Sequence, residues 1–303
     1  MEGIIRLTTI RETHEFFGIS EPHHPLISII DLNDEIINRD FGNQRFLFDF
    51  YQISLKRGFS GSMTYGRNSY DFEDGSLTFI KAGQVIKMES MPQEVKGGYG
   101  WTILFHPDLI RKSPLGKTIE EYSFFDYDIN EALHLSSQEI ESLNTLVLKI
   151  REEYLHSIDK YSQELINGNL EMLLKYSKRY YDRQFYTRSD MNKDLLQQFH
   201  SLIKHYYNSE KPKIAGGLTV SECALSLNLS VNYFGDLIKA ETGISAKEHI
   251  HDYVINKAKS MLLASNDGIG QIAYSLGYEY PQGFNKLFKA RVGISPKQFR
   301  TIN

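Results

Sequence analysis

The chain has 303 residues, of which 41% are hydrophobic and 24% are charged, values that are typical of a globular protein with two domains. It has no apolar run of membrane-spanning length and no low-complexity tract, so we expect neither a membrane-spanning nor a largely disordered protein. Its single cysteine, Cys223, rules out an intrachain disulfide, and its first residues lack the basic and apolar pattern of a signal peptide. We therefore expect a cytoplasmic protein.

The net charge of −4 is unevenly distributed along the chain. Residues 191–303 carry 13 Lys or Arg and 9 Asp or Glu, whereas residues 1–190 carry 21 and 29. This distribution is expected when only the C-terminal part meets a polyanion such as DNA. An ordinary solvated surface would give the same values, so charge alone leaves both interpretations open.

The first hundred residues contain short runs of branched and aromatic residues, separated by Gly, Asn and Asp. This pattern predicts a mainly antiparallel β barrel or a sandwich. The runs that we interpret as strands are 27–32, 46–55, 61–65, 69–72, 77–80, 85–88 and 101–105.

The apolar period then changes to steps of three and four, which predicts a helix over 136–157. Ser136 and Glu139 form a capping-box pattern at its start. The apolar residues make one narrow seam, which either packs on the neighbouring barrel or joins two chains as a dimerising coiled coil. The seam consists of Ile140, Leu143, Val147, Ile150 and Tyr154.

A second helix is predicted over 159–181, and the polar residues 187–192 are predicted to form a linker. The linker separates an N-terminal domain of residues 1–186, a barrel followed by helices, from an all-α C-terminal domain of residues 193–303. We predict seven helices in the C-terminal domain, several of them opened by Ser, Thr or Pro at their first positions.

The C-terminal domain contains a segment that occurs twice, at residues 219–245 and 268–296. Ala224 corresponds to Ala273, and each copy includes Gly-Ile-Ser near its end. Each copy predicts a short helix, a tight turn and a second helix. Two such copies indicate a protein that contacts DNA at two places.

A helix-turn-helix unit needs a small residue in its first helix and a turn residue that tolerates a left-handed backbone. Ala224 and Ala273 meet the first need, and Asn228 and Gly277 meet the second. The second helix needs an apolar inner face. That face is predicted to consist of Phe234, Leu237 and Ile238 in the first copy and of Phe284, Leu287 and Phe288 in the second.

The outer face of each second helix is expected to enter the major groove, where Asn and Gln pair with adenine and Lys reaches guanine. The candidate base-contacting residues are Asn232, Tyr233, Asp236, Gln282, Gly283, Asn285 and Lys286. A second set would contact phosphates and add affinity and salt dependence without sequence choice. Its members are Lys239, Lys289, Arg291 and Lys297.

Roughly the last 110 residues resemble the DNA-binding domain of AraC-family transcription regulators. Most of the signature lies in the second copy and consists of Ile272-Ala273, Leu276-Gly277-Tyr278, Phe284, Leu287-Phe288-Lys289, Gly293, Ser295-Pro296 and Phe299-Arg300. Ala258-Lys259 and Leu262-Leu263 match the end of the connecting helix, whereas Val254 stands where an arginine is usual. The resemblance implies two units held by a long helix, with reading helices roughly 34 Å apart.

In this family an N-terminal domain often resembles a cupin barrel that binds a small effector or supports dimers. Residues 98–110 look like the strand and exit turn of such sensors. The resemblance therefore implies an effector pocket, which we expect to be lined by aromatic side chains, although many of these would be plain core. The candidates are Phe48, Phe50, Tyr51, Tyr65, Phe79 and Trp101.

No metal, cofactor or enzymatic activity is expected. Cupin metal sites use closely spaced histidines, which residues 46–51 lack, and the adjacent His23 and His24 would point apart in an extended segment. No nucleophile–base pair or phosphate-binding glycine motif is present.

The sequence thus predicts a bacterial, sequence-specific DNA-binding transcription regulator, modulated by a small effector or by dimerisation. Its expected partners are double-stranded DNA, RNA polymerase, a small-molecule effector and a second copy of the chain. The alternative is a small-molecule-binding cupin protein, or a cupin enzyme, whose DNA-binding module is of secondary importance.

Overall fold

The computed structural model of the protein describes residues 3–32, 44–57, 64–65, 68–69, 75–87, 99–128, 131–156, 159, 161–187 and 189–302. The chain divides into two units, Met1–Gln184 and Phe185–Asn303. Within the described residues, no helix is long and apolar enough to cross a membrane.

The described part of the N-terminal unit contains ten short strands. They are β1 Ile4–Leu7, β2 Ile27–Asp31, β3 Arg45–Phe48, β4 Tyr51–Arg57, β5 Thr64–Tyr65, β6 Asn68–Ser69, β7 Ser76–Ile80, β8 Val85–Lys87, β9 Tyr99–Phe105 and β10 Leu133–His134. The helices of this part are α1 Ile10–Phe17, α2 Pro107–Ile110, α3 Pro114–Thr118 and α4 Ser137–Leu155, together with 3-10 turns at Ile119–Glu121 and Ser123–Asp126. Helix α5, Ser162–Thr187, follows.

The strands form separate sheets. The larger is antiparallel, in the order β10-β7-β4-β9-β2; a three-stranded sheet has the order β1-β3-β8; and β5 pairs with β6. Strands β1 and β3 run parallel, which departs from the antiparallel pattern expected. Over the described residues the sheets do not close, so the predicted barrel is wrong, whereas a sheet-rich N-terminal unit followed by helices is confirmed.

The aromatic residues expected to line one effector pocket are core residues in separate clusters. Phe48 and Phe50 pack against each other with ring centroids 5.2 Å apart, within a cluster that includes β1 and α1. Tyr51 and Phe79 instead pack on Phe125, with centroid distances of 5.0 and 5.4 Å. All four are at most 5% exposed.

Trp101, 7% exposed, is held by helix α4, because its Nε1 donates to Asn144 Oδ1 at 2.8 Å. The side chain of Tyr65 lies outside the described residues. The described candidates are therefore buried core residues, and Phe48 and Phe50 pack in a different cluster from Tyr51 and Phe79.

Helix α4 begins with the predicted capping box. Glu139 N donates to Ser136 Oγ at 3.4 Å, and Ser136 N donates to Glu139 Oε2 at 2.9 Å. The seam of α4 packs inside its own unit, where Tyr154 Oη accepts a hydrogen bond from His23 N at 2.8 Å. Because its side chains are at most 7% exposed, the coiled-coil interpretation of the seam is wrong. The buried seam residues are Ile140, Leu143, Val147, Ile150 and Tyr154.

Residues 189–302 of the C-terminal unit contain eight helices. They are α6 Ser189–Tyr207, α7 Lys211–Ala215, α8 Val220–Ser226, α9 Val231–Thr242, α10 Ala246–Ala264, α11 Ile269–Ser275, α12 Pro281–Val292 and α13 Pro296–Ile302. Helix α7 was not among the seven predicted helices, because five residues are too few to show a period. Helix α6 begins at Ser189, inside the range 187–192 that the sequence predicts as a linker. The linker and the domain bounds stay predictions.

Candidate nucleic-acid interface

The two copies of the repeated segment fold alike. In the first, α8 and α9 are joined by a turn in which Leu229 N donates to Ala224 O at 3.0 Å. In the second, α11 and α12 are joined by a turn in which Tyr278 N donates to Ala273 O, also at 3.0 Å. Both alanines are fully buried, as a close crossing of two helices requires. The predicted pair of helix–turn–helix elements is therefore confirmed.

The predicted caps hold the ends of these helices. Thr219 and Glu222 form a capping box at α8, and Ser230 Oγ accepts a hydrogen bond from Tyr233 N at 3.2 Å at the start of α9. Pro281 occupies the first turn of α12, where its missing N–H costs no hydrogen bond. The start of each second helix is thus fixed in place, and this is the part that enters a major groove in such units.

The inner faces of α9 and α12 are apolar and buried, as predicted. Phe234 packs edge-on against Phe199 of α6 with centroids 5.0 Å apart, and both are fully buried. In the second unit Phe284 and Phe288 are fully buried, whereas Leu287 is half-buried. Burial of these faces fixes which residues of each helix face outward.

The outer face of α12 carries the larger set of exposed polar residues. Gln282, Asn285, Lys286 and Lys289 are all exposed, and Gly283 leaves the backbone beside them uncovered. Amide and ammonium groups in this order along a helix suit hydrogen bonding to adenine and guanine edges.

Helix α9 presents a smaller outer face. Asn232 and Lys239 are exposed and Asp236 is half-buried. Tyr233, expected on this face, is instead only 8% exposed, and its ring packs edge-on against Phe185 with centroids 5.3 Å apart. The expectation that Tyr233 faces outward is wrong, because it precedes Phe234 by one position and extends the buried face sideways toward Phe185.

The four candidate phosphate ligands differ in their surroundings. Lys239, Lys289 and Lys297 are exposed, whereas Arg291 lies 3.6 Å from the carboxylates of Glu248 and Asp252 on α10. The structure thus gives Arg291 a contact within the unit that spacing along one helix could not reveal.

Helix α10 connects the two helix–turn–helix units within the C-terminal unit and is anchored at both ends. Its capping box joins Ser245 and Glu248, and hydrogen bonds from Ser245 lower the pKa of Glu248. Near its other end, Arg300 Nε of α13 donates to Leu262 O at 3.1 Å. Val254 of the same helix is 1% exposed and packs in the core.

Cys223 lies on α8 and is fully buried, and burial raises the pKa of its thiol to about 12. A thiol of this kind is protonated and unreactive at neutral pH, which is consistent with the structural role expected from the sequence.

One exposed residue beside the outer face of α12 is not among the contacts predicted from the sequence. Tyr280 precedes Pro281 and is 66% exposed. An exposed aromatic ring next to a reading helix is a further candidate contact. Its signal was its position just before the helix, which periodicity within the helix does not register.

Residues 223–302 match the protein family described as "Helix-turn-helix domain". Over 99 residues the chain is 34% identical to the uncharacterized HTH-type transcriptional regulator YtdP of Bacillus subtilis, a match that covers 33% of this chain and 12% of that protein. Over 109 residues it is 31% identical to the Msm operon regulatory protein of Streptococcus mutans, with coverage of 35% and 39%. The chain therefore spans less than half the length of these curated relatives.

Among solved structures, the C-terminal domain of AraT, a response regulator from Geobacillus stearothermophilus, is 28% identical with a TM-score of 0.33, covering 36% of this chain and 85% of that one. The sequence match to the family spans α8 to α13 almost completely. Residues 223–302 of this chain are therefore similar to helix-turn-helix domains.

Proposed function

We propose that this protein is a sequence-specific DNA-binding transcription regulator. The observation that carries the proposal is the pair of matching helix–turn–helix units, each with a buried inner face and an exposed polar outer face on its second helix. One named relative is an uncharacterized HTH-type transcriptional regulator and the other is an operon regulatory protein, which supports the same proposal. Such a protein would act at promoters by recruiting or blocking RNA polymerase.

Specificity in this proposal comes mainly from α12. Its exposed Gln282, Asn285 and Lys286 offer three side chains that distinguish bases, whereas α9 offers Asn232 and a half-buried Asp236. Lys239, Lys289 and Lys297 supply phosphate contacts, and Arg291 contributes through its contacts with α10.

The test is selection of bound fragments from random DNA by the full-length protein at about physiological salt. We expect a site with two elements about one helical turn, roughly 10 bp, apart. The double variant Gln282→Ala/Asn285→Ala should lose enrichment of one element. Gln198→Ala, which removes an exposed amide of α6, should leave the selected site unchanged. No enrichment by folded protein would instead favour a small-molecule-binding protein with a secondary DNA-binding module.

For the N-terminal unit we propose effector binding at a polar face of the five-stranded sheet. Thr78, Ser54 and Thr102 lie side by side on β7, β4 and β9, and Ser54 Oγ lies 2.9 Å from Thr102 Oγ1. Ser54 and Thr102 are buried, and Lys56 lies on the same face, where burial lowers the pKa of its ammonium group. Hydroxyl groups and an amine inside a unit suit a small polar ligand better than the aromatic residues do.

We also propose that the chain forms a homodimer through an outer stripe of α4, defined here as Leu148 and Leu155. These leucines are 57% and 56% exposed and lie seven residues apart, so they share one face of the helix. This face lies away from the buried seam of the same helix.

A further inference from the structure

Two histidines and a threonine join three helices of the C-terminal unit. His200 of α6 and His249 of α10 approach with His200 Nε2 3.3 Å from His249 Nδ1. The other ring nitrogen of His249, Nε2, lies 2.9 Å from Thr242 Oγ1 at the end of α9. His200 is exposed and His249 is half-buried, so the pair is open to solvent from one side.

The hydrogen bonds of Thr242 determine where the proton of His249 lies. Thr242 Oγ1 is 2.7 Å from Ile238 O and 3.1 Å from Ile244 O, and a hydroxyl can only donate to a carbonyl oxygen. Its hydroxyl proton is therefore used, and it accepts a hydrogen bond from His249 Nε2–H. The neutral ring of His249 consequently carries a lone pair on Nδ1, which points at His200.

The spacing of the two facing nitrogens fits a shared metal ion. Two imidazole nitrogens that bind one Zn²⁺ each lie about 2.0–2.1 Å from the ion, so at a tetrahedral angle they are about 3.3–3.4 Å apart. The 3.3 Å separation of His200 Nε2 and His249 Nδ1 falls in this range. For a metal ion to bind between them, the proton on His200 Nε2 would move to His200 Nδ1, which leaves a lone pair on each of the two facing nitrogens.

We propose that His200 and His249 form a two-imidazole site for a divalent transition-metal ion, with water in the remaining positions. Thr242 acts as the outer partner that fixes the tautomer of a ligating histidine. The negative charges of Glu248 and Asp252 reach His249 from its own helix and favour a dication there. The described residues include no group of three His, Cys, Asp or Glu side chains able to hold a metal, so we expect an exchangeable ion. For imidazole ligands, Cu²⁺ is expected to bind more tightly than Ni²⁺ or Zn²⁺.

Occupancy would join α6 to α10, the helix that connects the two reading units. An ion that binds the folded chain and not the unfolded chain raises stability in proportion to the logarithm of its concentration. The proposed site does not depend on the DNA-binding proposal, because none of its three residues is a proposed DNA ligand.

The experiment measures binding of Ni²⁺, Zn²⁺ and Cu²⁺ to the full-length, metal-stripped protein by isothermal titration, and the thermal unfolding temperature with and without each ion. We expect one saturable ion per chain whose binding raises the unfolding temperature by several degrees. His200→Ala and His249→Ala should each abolish this event, and Thr242→Val should weaken it about 10–100-fold. His205→Ala, which removes an exposed histidine of the same helix α6, should leave it unchanged.

Folding of each variant is checked by circular dichroism, and His200 is exposed, so its replacement should leave the fold intact. Binding that is the same in His200→Ala as in the parent protein would overturn the proposal, as would absence of saturable binding by all three ions. Loss of binding in the His205→Ala control would assign the ion to another histidine and would also overturn it.

Discussion

Asn228 and Gly277 occupy the same position in the two turns, with positive φ values of 56° and 86°. Asn228 N donates to Leu225 O at 3.1 Å, and Gly277 N donates to Tyr274 O at 3.0 Å. The turn between the helices thus requires a left-handed residue in both units. The sequence meets this need with glycine in one case and with asparagine, the best tolerated alternative, in the other.

The two turn residues should differ sharply in their tolerance of a side chain. A Cβ at Gly277 would lie 2.6 Å from Gly216 C and Gly217 N, in addition to the strained φ. We expect Gly277→Ala to cost about 1–3 kcal/mol of stability. Asn228→Gly should change stability by less than about 1 kcal/mol. Thermal unfolding followed by circular dichroism compares them, and equal unfolding temperatures for the two variants would contradict the argument.

Lys289 and Asn285 lie on the same outer face of α12 but should affect DNA binding differently. Lys289→Ala should weaken binding to all sequences alike and reduce the salt slope by about 1, because one phosphate contact is lost. Asn285→Ala should remove about 1–3 kcal/mol of discrimination at one base pair and leave the salt slope nearly unchanged. Fluorescence anisotropy on the selected site and on a single-base mismatch, over a series of salt concentrations, measures both. A similar loss on both DNAs for Asn285→Ala would exclude a base contact.

Tyr233 should matter for stability and not for recognition, because its ring packs against Phe185. Tyr233→Ala should cost about 3 kcal/mol, as is typical of a buried aromatic side chain. Tyr233→Phe keeps the ring and should cost no more than about 1.5 kcal/mol. Urea unfolding gives these values. A change of the selected DNA sequence in the Tyr233→Phe protein would restore the base-contacting role that burial argues against.

Substitutions in the outer stripe of α4 should change the oligomeric state, whereas substitutions in its buried seam should change stability. Leu148→Glu/Leu155→Glu should shift a dimer to a monomer that remains folded by circular dichroism, since both side chains are exposed. Gln138→Glu places a single negative charge elsewhere on the exposed surface of α4 and should leave the mass unchanged. Leu143→Glu/Val147→Glu should instead unfold the unit, because both side chains are at most 3% exposed. Sedimentation equilibrium decides, and a dimer that survives the outer-stripe variant would exclude this surface.

The C-terminal unit was largely predictable because its determinants are local. Caps such as Thr219 with Glu222, and turn residues such as Gly277, act within four residues of their own position. Helix periodicity also placed Phe234 and Phe284 inside correctly. The prediction that Tyr233 faces outward was wrong because its burial depends on Phe185, which lies 48 positions away and outside the repeat.

The N-terminal unit was less predictable because pairing between distant strands decides it. Alternation identified strands, yet it does not show that β1 pairs with β3 in parallel or that the sheets stay separate. Aromatic content likewise did not distinguish a pocket from a core, and Phe48 and Tyr51 proved to be core residues of different clusters. Buried polar side chains on a strand need a partner, and Ser54 and Thr102 are partners of each other across β4 and β9, a pairing that the sequence alone does not show.

Cys223 provides a test of the integrity of the first helix–turn–helix unit in the full-length chain. Because it is the only cysteine, one labelling event per chain reports it. Burial raises the pKa of its thiol to about 12, so the nucleophilic thiolate is scarce near pH 8 and the sulfur is covered. We expect negligible reaction with a thiol reagent under native conditions and one equivalent in urea. Gly277→Ala acts on the second helix–turn–helix unit and should speed labelling only as far as it increases global unfolding. Tyr233→Ala disrupts the first helix–turn–helix unit and should speed labelling further. Fast labelling of the parent protein at native pH would show that α8 opens readily and would contradict the buried structural role.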